Sequence, residues 1–380
     1  MTLKNRIAFY LIYCIFISNA YSQNINSICI SKDSTFSIEK TLGSLFTKNQ
    51  PAIFLGISHK VDVNQNLYAN LILLLNKQLG IRHIICEASH GESYLLNKFL
   101  ETGEDRYLQY EYEWSEEMRK GFKILHEYNK SLAQDDKLVF IGVDAALHVT
   151  PVVLSLKELM PATKPPSEIA PFVDSIKSIV LPLKFNKELT ERQAIKEREQ
   201  SMLALRNEVT SKSKYYQDFL GDKFQHLLMI IDNNASMLAI SKRDMEMYKG
   251  IKRAKELFHI EEGIFGMIGS SHTSMKQNWT LASQLKEGKG SPYFNNTFNI
   301  AVHYENSSSS WGNKTVVIEK SVLDDVYGKN SNVKEMELKK LTGCDNFIME
   351  VSEQIPLKDW CDYLIYITGG KPLQNLMNQK

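Results

Sequence analysis

The sequence predicts an α/β fold in which a mixed, mainly parallel sheet is flanked by helices and carries a helical insertion that caps it. Apolar runs over residues 52–57 and 83–86 are separated by an amphipathic segment, and each run is followed by an ionisable side chain, His59 or Glu87. Strands of a parallel sheet are buried on both faces and therefore read as continuous apolar runs, and ligands bind beyond their carboxyl ends. We expect His59 and Glu87 side by side at one rim of this sheet.

The first 22 residues have the pattern of a secretory signal peptide. Two basic residues, Lys4 and Arg6, precede an apolar run over 7–17, and small residues follow it. The run is shorter than the ~20 residues that span a bilayer. We therefore predict an exported protein, periplasmic or secreted, with no stable membrane insertion after this segment is removed.

The charge balance bears on the binding partner, and the cysteines bear on disulfide formation. The chain has 45 basic and 44 acidic residues, and removal of the signal segment leaves 43 against 44. This balance does not favour nucleic acid or an anionic membrane as a partner. Among the cysteines, Cys344 and Cys361 are best placed to form a disulfide in an exported protein, and Cys86 is expected to be a buried thiol in the second strand.

Strand and helix patterns alternate through the first part of the chain. Leucines at helical spacing predict a helix over 67–79 that ends at Gly80, and further helical patterns cover 93–100 and 116–130. A third apolar run, 138–143, again ends at a carboxylate. Three strands that alternate with helices favour right-handed crossovers in a parallel sheet.

The middle of the chain interrupts this alternation. Six prolines fall between residues 151 and 182, and residues 184–259 show helical patterns without a convincing strand. The strand pattern then returns in four runs, at 263–269, 298–303, 315–319 and 363–368. We predict that residues 23–150 form the first part of the α/β core, 151–260 the helical insertion and 261–380 the remainder of the core.

Four ionisable side chains follow or close apolar runs: His59, Glu87, Asp144 and His272. Because a parallel sheet brings its strand ends to one rim, we expect them to form one cluster. Such a cluster suits general acid–base catalysis or the binding of a divalent metal by His59, Glu87 and His272. The spacing does not choose between these chemistries, and a purely structural role for Asp144 is equally open.

Five further residues are candidates for the surroundings of this cluster. Tyr68, His90, Glu92 and Trp114 are predicted to bind the substrate, because His90 and Glu92 follow the second strand into the loop above the sheet and the aromatic residues can form walls. Arg243 is expected to fork onto a carboxylate of the site.

The order of motifs resembles the erythromycin esterase-like family, within a wider superfamily that includes the EreA esterases, ChaN-type haem-binding lipoproteins and TraB/Tiki proteins. The resemblance runs from about residue 52 to residue 275. The matching stretches are 55–59 (LGISH), 79–88 (LGIRHIICEA), 97–103 (NKFLETG), 114–129 (WSEEMRKGFKILHEYN), 140–144 (FIGVD), 243–247 (RDMEM) and 267–272 (MIGSSH). The helical segment between the third and fourth strands also looks like that family's helical insertion.

The resemblance implies roles for five residues. In the resembled esterases the first histidine is taken to activate water for attack on a macrolide lactone, and carboxylates and an arginine position and stabilise it. Carried over position by position, this implies His59 as the general base, Glu87 as its orienter or a metal ligand, and His272 as a second acid, base or ligand. Arg243 and Asp144 would be supporting residues.

Four positions depart from the family pattern. Gly56, Val63, Tyr68 and Gly269 stand where the family has a glutamate, a carboxylate, an arginine and a histidine. Each lost partner is worth ~2–4 kcal/mol of barrier, so macrolide esterase activity is not expected. Small or apolar groups at these positions are also expected to widen a pocket, which favours a catalytically inactive ligand-binding member.

The sequence therefore leaves enzyme and binding functions open. The leading hypothesis is an exported esterase-like hydrolase of an ester, lactone or amide, which needs no cofactor. One alternative is an inactive ligand-binding protein, for example for haem, with His59 or His272 as an axial ligand. Another is a metal-dependent peptidase, because residues 56–59 match the Gly-x-x-His of TraB/Tiki proteins. A small molecule or peptide is the expected partner in each case.

Overall fold

The computed structural model describes ten stretches of the chain. They are 27–29, 51–110, 115–146, 148–179, 191–235, 242–311, 314–318, 322–342, 346–351 and 356–373. The predicted signal segment, Trp114 and Cys344 lie outside the described residues. Within these stretches, no helix combines the length and apolarity that a membrane crossing requires.

An eight-stranded, mainly parallel sheet forms the centre of the fold, and it confirms the predicted α/β class. Its strands are β1 (Ser27–Cys29), β2 (Ala52–Ile57), β3 (His83–Cys86), β4 (Val139–Gly142), β5 (Ile264–Gly269), β6 (Thr297–Glu305), β9 (Phe347–Glu350) and β10 (Tyr363–Thr368), and β7 (Ser308–Trp311) and β8 (Lys314–Val317) form a separate ribbon. The order across the sheet is β1-β9-β10-β6-β2-β5-β3-β4. The six strands from β10 to β4 are parallel, whereas β9 is antiparallel to both of its neighbours.

Helices cover the sheet and form the insertion. They are α1 (Asp62–Leu79), α2 (His90–Thr102), α3 (Glu116–Ser131), α4 (Val149–Leu159), α5 (Ala170–Ser178), α6 (Glu191–Ser211), α7 (Ser213–Leu220), α8 (Phe224–Ala235), α9 (Arg243–Leu257), α10 (Ser270–Thr273), α11 (Leu281–Glu287), α12 (Val322–Tyr327) and α13 (Ser331–Thr342). Between β4 and β5 the described residues form helices α4 to α9 and no strand. This segment is therefore helical, as expected for the insertion. It buries its own apolar cluster, which includes Leu156, Val173 and Val209.

Local sequence explains where the first two helices begin and end. Four leucines of α1, at 67, 71, 74 and 75, are buried. The helix stops at Gly80, whose φ of 68° is costly for residues with a side chain. The helix α2 begins with a capping box: Ser89 accepts a hydrogen bond from the backbone of Glu92, and the Glu92 carboxylate accepts one from the backbone of Ser89. This cap starts α2 directly above the end of β3.

The strand register brings four strand ends to one rim. Ile57 of β2 lies opposite Gly269 of β5, and Cys86 of β3 lies opposite Met267 of β5 and Gly142 of β4. Because these strands are parallel and end at similar levels, the residues that follow them meet at one edge of the sheet.

Cys361 forms no disulfide with a described cysteine, and Cys344, the partner considered above, lies outside the described residues. Cys361 is a free thiol that is fully buried in an apolar cluster with Leu323 and Leu338. Burial raises the pKa of this thiol to about 12. Cys86 is a buried thiol, as expected, and is in no disulfide.

Candidate active site

Five of the predicted site residues come together at the carboxyl-terminal rim of the sheet. His59, Glu87 and Asp144 follow β2, β3 and β4, and His272 lies in the short helix α10 that follows β5. Arg243, the first residue of α9, reaches this rim from the helical insertion. By contrast, His83 contacts Glu262, the residue two positions before β5, so it lies at the opposite rim.

Arg243 joins the two carboxylates of the cluster. Its Nε lies 2.9 Å from Oδ2 of Asp144, its Nη2 lies 2.8 Å from Oε1 of Glu87, and Nη2 also contacts Asp144. Burial disfavours the charge of this guanidinium, but Asp144 and Glu87 outweigh burial and raise the pKa of Arg243 above its usual range. Because Arg243 binds both carboxylates, it fixes the ends of β3 and β4 relative to the start of α9.

Glu87 is held ionised at the centre of the cluster. Its Oε2 accepts a 2.6 Å hydrogen bond from the backbone of Gly269 and lies 3.5 Å from Nε2 of His59. Burial favours the neutral carboxyl, but the hydrogen bond and charge of His59, the Gly269 N–H and the charge of His272 lower the pKa of Glu87 to about 2. Glu87 is therefore an anion at any physiological pH, and His59 is the imidazole it faces.

Asp244 completes the cluster, and the sequence analysis missed it. Its Oδ1 contacts Nδ1 of His272, and Nη1 of Arg243 lies 3.3 Å from Nε2 of the same imidazole. Asp244 is buried, as is His272 to a large extent. The signal was present, because Asp244 stands beside Arg243 in one of the matched motifs.

A cleft of about 380 Å³ opens beside this network. Glu87, His59, Arg243 and Asp144 line it, as do Tyr68 and Glu92, two of the residues predicted to bind substrate. Its other walls are mostly apolar and come from α1, α2, α3 and the ends of β3 and β5. Burial raises the pKa of Glu92, although two hydrogen bonds from Ser89 oppose the shift. The cleft therefore combines a charged network with an apolar interior.

His90 lies apart from this cleft, although it follows Glu87 by three residues. It is fully buried, and its Nε2 lies 2.9 Å from Nδ1 of His226 on α8. The two rings stack with centroids 5.1 Å apart, and Phe258 packs against both. His90 therefore joins α2 to the helical insertion.

The glycines at two divergent positions do not widen a pocket, which corrects our expectation. A Cβ on Gly56 would collide with Oγ1 of Thr273, and a Cβ on Gly269 would lie 2.8 Å from Nε2 of His59. The space that larger residues would need is therefore filled by Thr273 and by the imidazole of His59. Tyr68 is also packed, 5.7 Å from the ring of Phe265.

The contacts of the rim carboxylates do not favour a bound metal ion. Within the described part of the chain, no group of three or more His, Cys, Asp or Glu side chains is arranged to hold a metal. The Arg243 guanidinium already contacts both Glu87 and Asp144, and it competes with a cation there. Both ring nitrogens of His272 have protein partners, and Nε2 of His59 faces Glu87.

Comparisons with known proteins show similarity in structure but not in sequence. No protein-family model matches the sequence, and no curated protein sequence does. Three similar solved structures cover most of this chain. A succinoglycan biosynthesis protein has 13% identity over 92% of this chain and 95% of its own, with a TM-score of 0.64. A Bacillus cereus protein has 16% identity over 86% and 90% of the two chains, with a TM-score of 0.60, and an erythromycin esterase variant in its open conformation has 13% identity over 87% and 93%, with a TM-score of 0.58. The predicted resemblance is thus confirmed at the level of the fold, which this chain shares with an erythromycin esterase.

Proposed function

We propose that this protein is an esterase-like hydrolase of a small ester, lactone or amide and that His59 is its general base. One observation carries the proposal: His59 lies 3.5 Å from an ionised carboxylate, Glu87, at a cleft that can hold a small molecule. The distance is longer than a standard hydrogen bond, as is common for catalytic pairs in ligand-free structures.

The network supplies the parts that hydrolysis by water requires. Glu87 favours the imidazole tautomer with its proton on Nε2, which places the basic lone pair of His59 on Nδ1. His59 takes a proton from water as the water oxygen bonds to the acyl carbon. The proton then goes to the leaving oxygen or nitrogen as its bond to that carbon breaks. Glu87 stabilises the imidazolium formed between these steps.

Arg243 supports this chemistry through position and charge. Among the described residues, its Nη1 has one protein partner, Nε2 of His272. A guanidinium nitrogen of this type carries two N–H groups, so the second is available to the oxygen that becomes negative in the transition state. Glu87 and Asp144 hold the guanidinium in place for that role.

Export is a second part of the proposal. The basic residues, apolar run and small residues within positions 1–22 support it, and the balanced charge of the remaining chain is compatible with a small-molecule substrate. Cell fractionation of the full-length chain with an added C-terminal tag tests it. Processing at about residue 22 is the expected result, and retention of the unprocessed chain in the cytoplasm would contradict it.

The test of hydrolysis uses the purified protein on chromogenic esters, lactones and amides, beside His59→Ala and a matched histidine variant, His259→Ala. We expect turnover that falls at least a hundredfold in His59→Ala, because the general base contributes ~10²–10⁴-fold. His259 is exposed and lies outside the cleft, so its variant should retain turnover. Equal turnover in the two variants would overturn the role of His59.

A non-catalytic binding protein is the second candidate. The observation that favours it is the saturation of the network, in which Arg243, Glu87, Asp144 and His272 are bonded chiefly to one another. Such a network can be a structural support for a binding cleft. Absence of turnover on every substrate class, together with ligand-induced stabilisation against heat, would favour this candidate.

A further inference from the structure

The cleft has a polar mouth and an apolar interior. The side chains of His59 and Arg243 are 32% and 36% exposed, whereas Leu96, Met118 and Phe122 are between 3% and 5% exposed. All five line the same cleft. A ligand therefore meets the charged network first and an apolar chamber behind it.

Three helices build the chamber with residues one helical turn apart. The helix α2 contributes Glu92 and Leu96, and α3 contributes Met118 and Phe122. Tyr68 projects from α1 toward the same space. Side chains three or four positions apart share one helix face, so each helix presents a short, continuous strip to the cleft, and most of that surface is hydrocarbon.

The chamber offers little to a charged ligand group. Glu92 is the carboxyl group on its helical walls, it accepts two hydrogen bonds from Ser89, and burial raises its pKa toward the neutral form. The amide of Gln65 and the imidazole of His148 also line the cleft. The positive charge of Arg243 lies at the mouth and is balanced by Glu87 and Asp144. A neutral, apolar group therefore fits the interior better than an anion or a cation does.

The volume sets a size limit. A cleft of about 380 Å³ corresponds to roughly a dozen water volumes of ~30 Å³ each, so it holds about a dozen non-hydrogen atoms. Methionine walls such as Met118 and Met267 adapt readily to a flexible chain. A macrolide ring with its sugars exceeds this space.

We infer that the chamber between α1, α2 and α3 binds the apolar acyl chain of the substrate, up to roughly ten carbons long, and that the acyl carbonyl lies at the mouth beside His59. This inference rests on the proposed hydrolase function and names its substrate class: esters of short- to medium-chain fatty acids. Water adds its oxygen to the acyl carbon, the acyl–oxygen bond breaks, and the released alcohol takes the proton that His59 has carried.

Two series test the inference by turnover. On p-nitrophenyl esters from acetate to hexadecanoate, we expect kcat/KM to rise up to about fourfold per added methylene and to fall once the chain exceeds the chamber. Leu96→Ala should move the optimum to chains longer by about two methylenes. Leu100→Ala is the matched control, because Leu100 is equally buried one turn along α2 but does not line the cleft.

A third measurement does not depend on turnover. Cys86 lines the cleft and is in no disulfide, so a ketone that cannot be hydrolysed, 2-decanone, should slow maleimide labelling of the Cys86 peptide, as followed by mass spectrometry. Leu96→Ala should change the chain length that protects best.

These outcomes separate the two proposals. Protection by 2-decanone without turnover of any ester would contradict the proposed hydrolase function but support binding of an acyl chain in the chamber. Turnover with a flat chain-length profile, or with an optimum at acetate, would contradict binding of an acyl chain in the chamber but support the hydrolase function. Neither turnover nor protection would overturn both, and an identical shift of optimum in Leu100→Ala would also overturn the chamber.

Discussion

Two histidine sites lie on either side of the short link from Glu87 to His90, and they differ in their partners and their burial. At the rim, His59 and His272 face Glu87 and Asp244, and the cleft reaches His59. In the interior, His90 and His226 pair with each other among aromatic rings. The sequence distance from Glu87 to His90 is only three residues.

Burial sets the ionisation of the interior pair. Burial, with a smaller contribution from Lys223, lowers the pKa of His226 to about 4, and burial and His226 lower the pKa of His90 well below its usual value. The interior pair is therefore neutral, whereas the rim histidines lie beside carboxylates. A histidine after a strand is thus a site candidate only if carboxylates reach it.

The largest effect on stability is expected at the rim, from Arg243→Met. This change leaves two buried carboxylates, Glu87 and Asp144, without their cation, and their side chains are only 9% and 6% exposed. Removal of one partner of a fully buried pair costs ~3–5 kcal/mol. Because Arg243 is 36% exposed, we expect a loss of about 2–4 kcal/mol in the free energy of unfolding by urea.

Arg253→Met is the matched control for this prediction. Arg253 lies on the same helix and pairs with Asp232, but both partners are more exposed, so its loss should cost at most about 1 kcal/mol. If the two variants unfold at the same urea concentration, Arg243 does not hold the rim together.

The second prediction separates the two histidine sites by pH. The interior pair binds protons only when the chain unfolds, because its folded pKa values lie below the unfolded value of about 6.5. Its stability contribution is present above pH ~6.5 and is lost as pH falls toward 4, by about 3 kcal/mol for His226. Glu87, whose pKa is lowered from 4.5 to about 2, loses its contribution only below pH ~4.5.

His226→Gln should therefore flatten the decline in unfolding free energy between pH 6.5 and 4 and leave the decline below pH 4.5 in place. His303, whose pKa is also lowered to about 4 by burial, titrates in the same window, so the slope shrinks without vanishing. His259→Asn is the control, because His259 is exposed and asparagine tolerates its positive φ of 49°. An unchanged slope in His226→Gln would show that the interior pair does not titrate as described.

The contrast between these sites also marks what the sequence could predict. The rim was predictable because apolar runs followed by His59, Glu87 and Asp144 fix both the sheet and the place where its strand ends meet. The packing between elements was not: the sequence does not show that α8 brings His226 onto His90, or that Thr273 fills the space beside Gly56. These contacts depend on how helices distant in sequence lie against one another, which no local pattern specifies.

The smallest effect on stability is expected from Gly269→Ala, which tests whether the rim geometry itself matters. The added methyl would lie 2.8 Å from Nε2 of His59 and 3.3 Å from Oε2 of Glu87, while the backbone φ of −53° suits alanine. Because His59 is a third exposed, its ring can turn outward, and we expect a change within about 1 kcal/mol in unfolding free energy.

The same substitution should have a large effect on hydrolysis, because it separates the imidazole from the carboxylate that orients it. We expect kcat/KM to fall at least tenfold in a protein that unfolds almost as the parent does. Gly56→Ala is the counterpart: Thr273 is buried and cannot turn away, so that variant should lose about 1–3 kcal/mol of stability. If Gly269→Ala retains full turnover, contact between His59 and Glu87 is not required for hydrolysis.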